Sequence, residues 1–236
     1  MSENKNKKTG GMYPWVDEMI SHLHGKCTHK CGYCYVPHTA AGRVGLYDGP
    51  LSLSERSFEW QPKKSSETIF IDHMNDLFQD AVPNAWIRRV MDHCETFARC
   101  TMVFQTKNPK RLPDCMKYFW RYRNHLVGVT LETDANLPYP APQPVERYTE
   151  LFKLPTEWRK QHLFITIEPI MQFNLDRFAA WIALLQPAFV NVGANSKNVA
   201  LPRPEPSKEL VLALVKRLQS NGIQIREKHN LERILA

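Results

Sequence analysis

The feature that most constrains this chain is a regular alternation of short apolar runs with segments of helical period. Seven β-branched or aromatic runs read as buried strands, at residues 18–23, 68–72, 101–105, 126–132, 163–168, 189–193 and 223–226. Between them, residues 84–98, 175–185 and 208–218 carry an apolar face with the period of an α-helix. Such alternation, about every thirty residues, is typical of right-handed βα units around a parallel sheet. The sequence therefore predicts an α/β fold: an incomplete (βα) barrel of six or seven units, a partial TIM barrel, with a doubly wound open sheet as the alternative.

Local signals at the helix ends agree with this pattern. Asn174 and Ser207 precede two of the helical segments as N-caps, and Gly222 follows the last segment as a stop signal. Two proline-rich runs, at 137–144 and 201–206, follow predicted strands and precede helical stretches, which favours surface loops over domain linkers. We expect residues 1–12 to form a flexible basic tail and residues 13–236 to form one domain.

The charge balance narrows the class of partner. The 236 residues include 31 Lys and Arg against 24 Asp and Glu, a formal net charge of +7. This surplus suits an anionic partner such as a nucleic acid or a phosphorylated metabolite. The chain opens without an apolar h-region and has no run of roughly eighteen apolar residues, so neither a signal peptide nor a membrane span is predicted. We expect a soluble protein of the cytoplasm.

Polar side chains stand at the carboxyl end of every predicted strand. In barrels of this kind these ends carry the chemistry, because the loops there vary without disturbing the core. Seven strands that all end in polar residues favour one shared polar cavity. The residues are His22, His24, Asp72, His73, Asn75, Asp76, Gln105, Thr106, Lys107, Thr130, Glu132, Thr133, Glu168, Asn191, Asn195, Arg226, Glu227 and Lys228.

Three of the six cysteines lie together after the first predicted strand. Cys27, Cys31 and Cys34 are spaced by four and three residues, which brings their sulfurs onto one loop turn over the barrel mouth. Thiolates at this density bind either zinc or an iron–sulfur cluster. A structural zinc ion needs four closed ligands, and His29 or His38 could complete the set. A four-iron cluster on three cysteines instead leaves one iron open, as catalysis requires.

The remaining cysteines have no such grouping. Cys94, Cys100 and Cys115 are scattered through helix-like or strand-edge sequence, which favours the role of small buried hydrophobic side chains. Six cysteines are also too sparse for a disulfide scaffold, so we expect thiols kept reduced.

The pattern Cys-x3-Cys-x2-Cys, with the aromatic Tyr33 directly before the third cysteine, resembles the signature of the radical S-adenosylmethionine (radical SAM) superfamily. Later stretches resemble successive strand-end motifs of a group of small phage and bacterial radical SAM proteins. These stretches are residues 69–78, 104–112, 128–132, 167–169 and 190–193, and the resemblance covers about residues 13–228. The chain departs from the superfamily pattern in one respect, because no Gly-Gly-Glu follows the second predicted strand.

The resemblance implies a [4Fe-4S] cluster held by Cys27, Cys31 and Cys34, with S-adenosylmethionine chelated to its open iron. An electron from a donor such as flavodoxin or ferredoxin would break the sulfonium bond and give a 5′-deoxyadenosyl radical that abstracts hydrogen from substrate. By position, the resemblance assigns contacts with S-adenosylmethionine to Tyr33, Asn75, Asp76, Thr130, Glu132 and Asn191. For Asp76 a helix N-cap is the alternative.

Glu168 and Lys107 are the candidate catalytic residues. Glu168 lies between a strand and a proline in Ile-Thr-Ile-Glu-Pro, so we expect it to point at the cavity and to hydrogen-bond substrate or cofactor. Lys107, like Lys228, stands at the barrel mouth, where a lysine either binds a substrate phosphate or extends to solvent.

The chain carries no second cysteine group for an auxiliary cluster and no length for a separate peptide-recognition or cobalamin domain. This favours one-cluster chemistry on a small substrate or on one nucleotide of a polymer. Together with the basic charge, the resemblance to phage proteins suggests an isomerase that rearranges an amino-acid-modified thymidine in phage DNA, within a bacterium or a phage-infected cell. The alternatives are a DNA-repair lyase of the photoproduct type and, from a different class, a zinc-stabilised nucleic-acid-binding module without catalysis.

Overall fold

A computed structural model describes residues 13–122, 124–196 and 199–236, so the predicted tail of residues 1–12 lies outside the described residues. Its strands are β1 (Glu18–Ile20), β2 (Leu23–His24), β3 (Ser52–Leu53), β4 (Thr68–Ile71), β5 (Thr101–Thr106), β6 (His125–Thr130), β7 (Leu163–Ile167), β8 (Phe189–Val192) and β9 (Ile225–Glu227). Its α-helices are α1 (Ala40–Arg43), α2 (Asn84–Glu95), α3 (Leu112–Phe119), α4 (Pro144–Leu151), α5 (Thr156–His162), α6 (Leu175–Leu185), α7 (Lys208–Ser220) and α8 (Glu232–Leu235).

Seven of these strands form one parallel sheet in the order β1-β4-β5-β6-β7-β8-β9. The order follows the chain without a reversal, whereas a doubly wound sheet reverses at a switch point, so that alternative is wrong. β2 and β3 form a separate antiparallel pair beside the sheet. The α/β class and the parallel sheet predicted from the sequence are confirmed.

The sheet curls into an incomplete barrel around Tyr13. The tyrosine ring lies 6.2 Å from the Phe70 ring of β4 and 5.9 Å from the Phe164 ring of β7. Its hydroxyl is 2.7 Å from the Gln105 side chain of β5 and from the Thr166 side chain of β7. Strands far apart in the sheet order can meet one ring only if the sheet wraps around it. β1 and β9 are edge strands that do not pair with each other, so the barrel stays open between them.

Aromatic side chains fill the amino-terminal end of the barrel. Phe164 and Phe189 stack with their centroids 5.1 Å apart. Gly128 of β6 makes room for them, since a Cβ there would lie 2.2 Å from the Phe164 ring. This end of the barrel is therefore a packed apolar floor rather than a channel.

The opposite face of each strand packs against helices in the main core. Alternation puts Ile165 of β7 and Val190 of β8 on this face, together with Phe178 and Ile182 of α6 and Leu214 of α7. The predicted caps are present, because Asn174 accepts a hydrogen bond from the Arg177 N–H and Ser207 accepts one from the Leu210 N–H. None of the described helices has the length and apolar character needed to cross a bilayer.

The first predicted strand, residues 18–23, is shorter than expected. β1 ends at Ile20, and the N–H groups of His22 and Leu23 donate to Asp72 Oδ1 at 2.7 and 2.9 Å instead of extending the parallel ladder. Leu23 then pairs with Leu53 of β3. The carboxylate of Asp72 thus turns the chain out of the sheet and into the loop that carries the three clustered cysteines.

Candidate active site

Strand alternation places three tiers of side chains inside the barrel. On β7, Phe164 lies in the aromatic floor, Thr166 lies above it, and Glu168 follows at the carboxyl end. On β6 the corresponding sequence is Gly128, Thr130 and Glu132. The interior thus changes from apolar to polar to charged along the strands, which concentrates the charged groups at one mouth.

The middle tier is a belt of hydrogen-bonded polar side chains. The Tyr13 hydroxyl donates to Gln105 Oε1, and Gln105 Nε2 donates to Thr130 Oγ1 at 3.2 Å. Burial and the nearby Glu168 carboxylate raise the pKa of Tyr13, which keeps its hydroxyl neutral. Thr130 and Asn191 are both 1% exposed and belong to this belt. Their predicted contacts with S-adenosylmethionine stay predictions.

The cysteine-bearing loop, residues 25–50, is closed on itself at its base. Gly25 adopts φ +85°, and a Cβ there would lie 2.1 Å from the Pro50 carbonyl oxygen, so the two ends of the loop touch only because residue 25 is glycine. The Gly25 N–H also donates to the Leu46 carbonyl at 2.9 Å. The loop therefore begins and ends at one point, next to the β2–β3 pair.

Side chains after β4 fix this loop to the strand ends. Asn75 Nδ2 donates to the Gly25 carbonyl at 3.0 Å. Gln79 is fully buried, and its Oε1 accepts from both the N–H and the hydroxyl of Thr28, at 2.7 and 2.8 Å. Gln79 Nε2 in turn donates to Asn75 Oδ1. Asn75 thus positions the cysteine loop, and its predicted cofactor contact stays a prediction.

Asp76 ties the loop to the neighbouring strand. Its Oδ2 accepts from Thr106 Oγ1 at 2.9 Å and the Lys107 N–H at 2.8 Å, and lies 2.7 Å from His29 Nε2. Burial alone would raise the pKa of Asp76, but His29 and the other donors hold it below its usual value. Its Oδ1 caps a turn at the Phe78 N–H rather than a helix, so the N-cap interpretation is wrong. The cofactor contact of Asp76 stays a prediction.

The six cysteines divide as the sequence predicted. Cys94, Cys100 and Cys115 are buried in the main core, while Cys27, Cys31 and Cys34 are partly exposed, and all six are free thiols. Burial raises the pKa of Cys27 to about 12, with a further contribution from the Asp76 carboxylate. Burial also raises the pKa of Cys31, against the opposing effect of Lys107. A cationic iron–sulfur core would relieve this penalty on the thiolates.

The donor set therefore fits an iron–sulfur cluster in its chemistry: three reduced, partly exposed thiols on one anchored loop. Among the described residues, no group of three or more His, Cys, Asp or Glu side chains is already arranged to hold a metal ion. Of the histidines considered for a zinc site, His29 is engaged with Asp76 and His38 is exposed on the surface. The assignment of the three cysteines as cluster ligands stays a prediction.

A buried charge network lies beside Cys31. Arg147 of α4 donates from Nη1 to Glu132 Oε2 and to the Thr130 carbonyl, both at 2.8 Å. The Tyr33 hydroxyl donates to Glu132 Oε1. Burial would raise the pKa of Glu132, but Arg147 and then Lys107 hold it below its usual range, so the carboxylate stays ionised. Glu132 thereby holds Tyr33 and the cysteine loop in place, and the predicted cofactor contacts of both residues stay predictions.

Lys107 lies within this network rather than extending into solvent. Its Nζ is 3.9 Å from Glu132 Oε1 and 5.4 Å from the centroid of the Tyr33 ring, with 19% of the side chain exposed. Burial works against its charged form, but Cys31 and Glu132 raise its pKa above the usual value. The interpretation that this lysine snorkels to solvent is therefore wrong, and its catalytic role stays a prediction.

Glu168 stands across the mouth in a second charged cluster. Its Oε2 accepts from Lys228 Nζ at 2.7 Å, and its Oε1 accepts from Asn230 Nδ2 at 2.9 Å and from Ser196 Oγ at 3.2 Å. Lys228 is 9% exposed and its Nζ lies 4.7 Å from the Tyr13 ring centroid, so this lysine also does not extend to solvent. The catalytic role of Glu168 stays a prediction.

Several residues of the site carry no local sequence signal. The hydrogen bonds in question join residues distant in sequence: Gln79 and Thr28 are 51 residues apart, Arg147 and Glu132 are 15 apart, and Asn230 and Glu168 are 62 apart. Tyr13 precedes the first strand and reaches Thr166 across 153 residues. The polar strand ends and the spacing of the three cysteines pointed to this region of the fold, but neither pointed to these four residues.

Comparison with known proteins gives one family and one fold. The sequence matches the family described as a protein of unknown function, DUF5131, over residues 14–196. A search of curated proteins found no match.

The described fold resembles solved radical SAM structures. A cysteine-to-serine mutant of spore photoproduct lyase has a TM-score of 0.59 at 11% identity, covering 95% of this chain and 81% of that chain. The same lyase complexed with dinucleoside spore photoproduct has a TM-score of 0.58 at 11% identity, covering 95% and 80%. A radical SAM methyltransferase from Sphaerobacter thermophilus has a TM-score of 0.51 at 17% identity, covering 95% and 70%. At these identities the likeness shows the fold alone.

Proposed function

The chain belongs to the DUF5131 family, which matches it over residues 14–196, and we propose that it is a radical SAM enzyme acting on a nucleotide or nucleic acid. The main support is the anchored cysteine loop. Cys27, Cys31 and Cys34 are partly exposed on a loop that Asn75 and Gln79 fix to the carboxyl ends of the strands. The chain shares its fold with the radical SAM structures above.

In this proposal Cys27, Cys31 and Cys34 hold a [4Fe-4S] cluster, which together with S-adenosylmethionine supplies a 5′-deoxyadenosyl radical for hydrogen abstraction. The protein contributes position and shielding. Glu132 and Arg147 hold Tyr33 against the mouth, and the aromatic floor closes the other end of the barrel to water. A substrate entering from the mouth meets the charged rim first and the polar belt beneath it.

Anaerobic reconstitution with iron and sulfide tests the cluster. We expect about four irons per chain, because three thiolates on one loop suffice to anchor a cubane. A variant with Cys27, Cys31 and Cys34 all changed to Ala should bind no cluster. The matched control changes the buried Cys94 to Ala and should keep the iron. One zinc ion per chain, with iron refused, would favour the zinc-stabilised binding module.

Reduction with dithionite then tests the activity. The reconstituted protein should cleave S-adenosylmethionine slowly and release methionine, and the triple alanine variant should not. A fully loaded cluster that leaves S-adenosylmethionine intact would contradict the radical SAM assignment.

We propose a nucleotide as the substrate. The proposed reaction is the isomerisation of an amino-acid-modified thymidine in phage DNA. The formal charge of +7 supports an anionic partner. A repair lyase is the second candidate, because one structural neighbour was solved with dinucleoside spore photoproduct. Within duplex DNA either reaction needs the nucleotide flipped out, so single strands or nucleosides should react more readily.

Product mass separates the two reactions. An isomerase converts an aminoacyl-modified thymidine into a product of unchanged mass with a shifted chromatographic peak. A lyase breaks the bond between the two bases of a dinucleoside photoproduct and releases two thymidines, each of half the mass of the substrate. Turnover of neither substrate, with S-adenosylmethionine cleavage intact, would refute both nucleotide reactions while leaving the radical mechanism standing.

A further inference from the structure

Lys107 places a buried positive charge beside the cysteine loop. Its Nζ lies 3.9 Å from Glu132 Oε1, but Oε2 of the same carboxylate already accepts from Arg147 Nη1 at 2.8 Å. The glutamate is therefore neutralised without the lysine. Only 19% of the Lys107 side chain is exposed, so water and salt screen its charge weakly. The lysine thus offers a charge that the Arg147–Glu132 pair does not require.

The part of the loop that faces this charge is the turn around Cys31. Lys107 Nζ lies 5.4 Å from the centroid of the Tyr33 ring, and Tyr33 follows Cys31 by two residues. Cys31 and Tyr33 pack together with Leu137 and Met171, which are both buried and apolar. Apolar neighbours lower the local dielectric constant, so a charge acts on Cys31 over a longer distance than it would in water.

The lysine and the cysteine also interact electrostatically. Burial lowers the pKa of Lys107, but Cys31 and then Glu132 raise it, and the net effect is an increase. The sulfur of Cys31 thus acts on the lysine at least as strongly as the carboxylate that lies 3.9 Å away.

Asp76 is the second buried carboxylate at this loop. Its Oδ2 accepts from the Lys107 N–H at 2.8 Å and lies 2.7 Å from His29 Nε2. Lys107 and Arg147 therefore stand against two carboxylates, those of Glu132 and Asp76. A neutral side chain at position 107 makes the surroundings of the loop more negative by one charge, and it leaves the Arg147–Glu132 pair intact.

Reduction of an iron–sulfur cluster is sensitive to nearby charge. The step adds one electron from an external one-electron reductant, and no bond or proton moves in it. A cluster on three thiolates gains negative charge in this step. A nearby cation therefore favours the reduced form, whereas an added negative charge opposes it.

We infer that Lys107 raises the reduction potential of the cluster held by Cys27, Cys31 and Cys34, because its buried ammonium group stabilises the added electron. This inference rests on the proposed function and assigns Lys107 a role that requires no contact with substrate or S-adenosylmethionine. The effect depends on charge rather than on one hydrogen-bond geometry, so an arginine at position 107 should replace the lysine.

A redox titration of the reconstituted full chain, followed by the electron paramagnetic resonance of the reduced cluster, tests the inference. S-adenosylmethionine is left out, so that a change in its binding cannot contribute. We expect Lys107→Met and Lys107→Gln each to lower the equilibrium constant for one-electron reduction at least about tenfold, which is a potential about 59 mV more negative. Lys107→Arg should stay within about threefold of the wild type.

Lys110→Met is the matched control. Lys110 is exposed on the turn formed by Pro109–Arg111, only three residues along the chain. Its removal makes the same change in net charge where water screens it, so the equilibrium constant should change less than about twofold. Circular dichroism and iron content report whether each variant is folded and loaded.

Three results would overturn the inference. The first is an unchanged equilibrium constant in the loaded neutral variants. The second is an equal drop in Lys107→Arg or Lys110→Met, which would assign the effect to side-chain shape or to overall charge. The third is a folded protein that loads no cluster in both neutral variants but does so in Lys107→Arg, because the lysine would then be needed for assembly.

Failure of the proposed function is a distinct outcome. A wild-type chain that assembles no cluster would refute the proposed function and this inference together. A loaded cluster whose reduction does not respond to the charge at position 107 would refute this inference alone, and S-adenosylmethionine cleavage by the wild type would still support the proposed function.

Discussion

Arg147 Nη1 lies 2.8 Å from Glu132 Oε2 inside the barrel mouth, with 1% of the arginine side chain and none of the glutamate side chain exposed. The arginine also donates from Nε to the Pro142 carbonyl at 2.6 Å and from Nη1 to the Thr130 carbonyl at 2.8 Å. The other carboxylate oxygen of Glu132, Oε1, accepts a hydrogen bond from the Tyr33 hydroxyl. One helix outside the barrel therefore supports the cysteine loop through a single buried carboxylate.

Removing one partner of the Arg147–Glu132 ion pair should destabilise the fold. Arg147→Met leaves Glu132 buried with Lys107 as its remaining cation, and we expect the free energy of unfolding to fall by about 3–5 kcal/mol. Urea denaturation followed by circular dichroism measures the change. The double variant Glu132→Gln/Arg147→Met should regain part of the loss, because it removes the uncompensated charge. A loss below about 1 kcal/mol in the single variant would contradict the role given to the pair.

The loop anchor at Gln79 can be tested by hydrogen exchange. Gln79→Ala removes the acceptor of the Thr28 N–H and hydroxyl, so amides in residues 25–50 should exchange faster while those of β7 stay protected. We expect a stability loss of about 1–3 kcal/mol. Gln219→Ala on the exposed surface of α7 is the matched control and should behave as wild type. Unchanged protection of the loop in Gln79→Ala would show that other contacts hold it.

The barrel floor should not tolerate a methyl group at position 128. Gly128→Ala places a Cβ 2.2 Å from the Phe164 ring, and we expect a loss of about 1–3 kcal/mol from the strain. Adding Phe164→Leu should restore part of it by removing the ring. Gly49→Ala is the control, since a Cβ there meets nothing within 4 Å. Equal thermal midpoints for the two alanine variants would contradict the packing of the floor.

His125 should make stability depend on pH below neutrality. It is 4% exposed, its Nε2 accepts from Trp158 Nε1 at 3.0 Å, and burial followed by the neighbouring His162 lowers its pKa to about 3. The unfolded chain protonates this histidine near pH 6.5. The neutral form is therefore favoured by folding, and its contribution is complete above about pH 6.5 and is lost as the pH falls toward about 3.

The matched variant His125→Gln keeps an acceptor for the indole and removes the titration. Between pH 7 and pH 5 the wild type should lose on the order of 1–2 kcal/mol more stability than this variant. Urea denaturation at both pH values measures the difference. Parallel pH dependences for the two proteins would mean that His125 does not titrate on unfolding.

Local pattern was enough to predict most of the sheet. The apolar runs at 101–105, 163–168 and 189–193 correspond to β5, β7 and β8, because strand formation there follows from the side chains of the run itself. The predicted strand at 18–23 is wrong at its carboxyl end, because the N–H groups of His22 and Leu23 donate to the Asp72 carboxylate instead of to a neighbouring strand. That hydrogen bond joins residues about fifty positions apart, which no local pattern reports.

In the candidate site, too, local sequence predicts some features and only the tertiary structure decides the others. The sequence alone identified Cys27, Cys31 and Cys34 by their spacing, and identified Glu132 and Glu168 because alternation and strand ends are local properties. Only the tertiary structure showed that Arg147 neutralises Glu132 while Lys228 neutralises Glu168. Charge compensation inside a protein depends on which side chains the fold brings within a few ångströms. That proximity is set by strand order and barrel curvature, whereas the elements themselves are set by neighbouring residues.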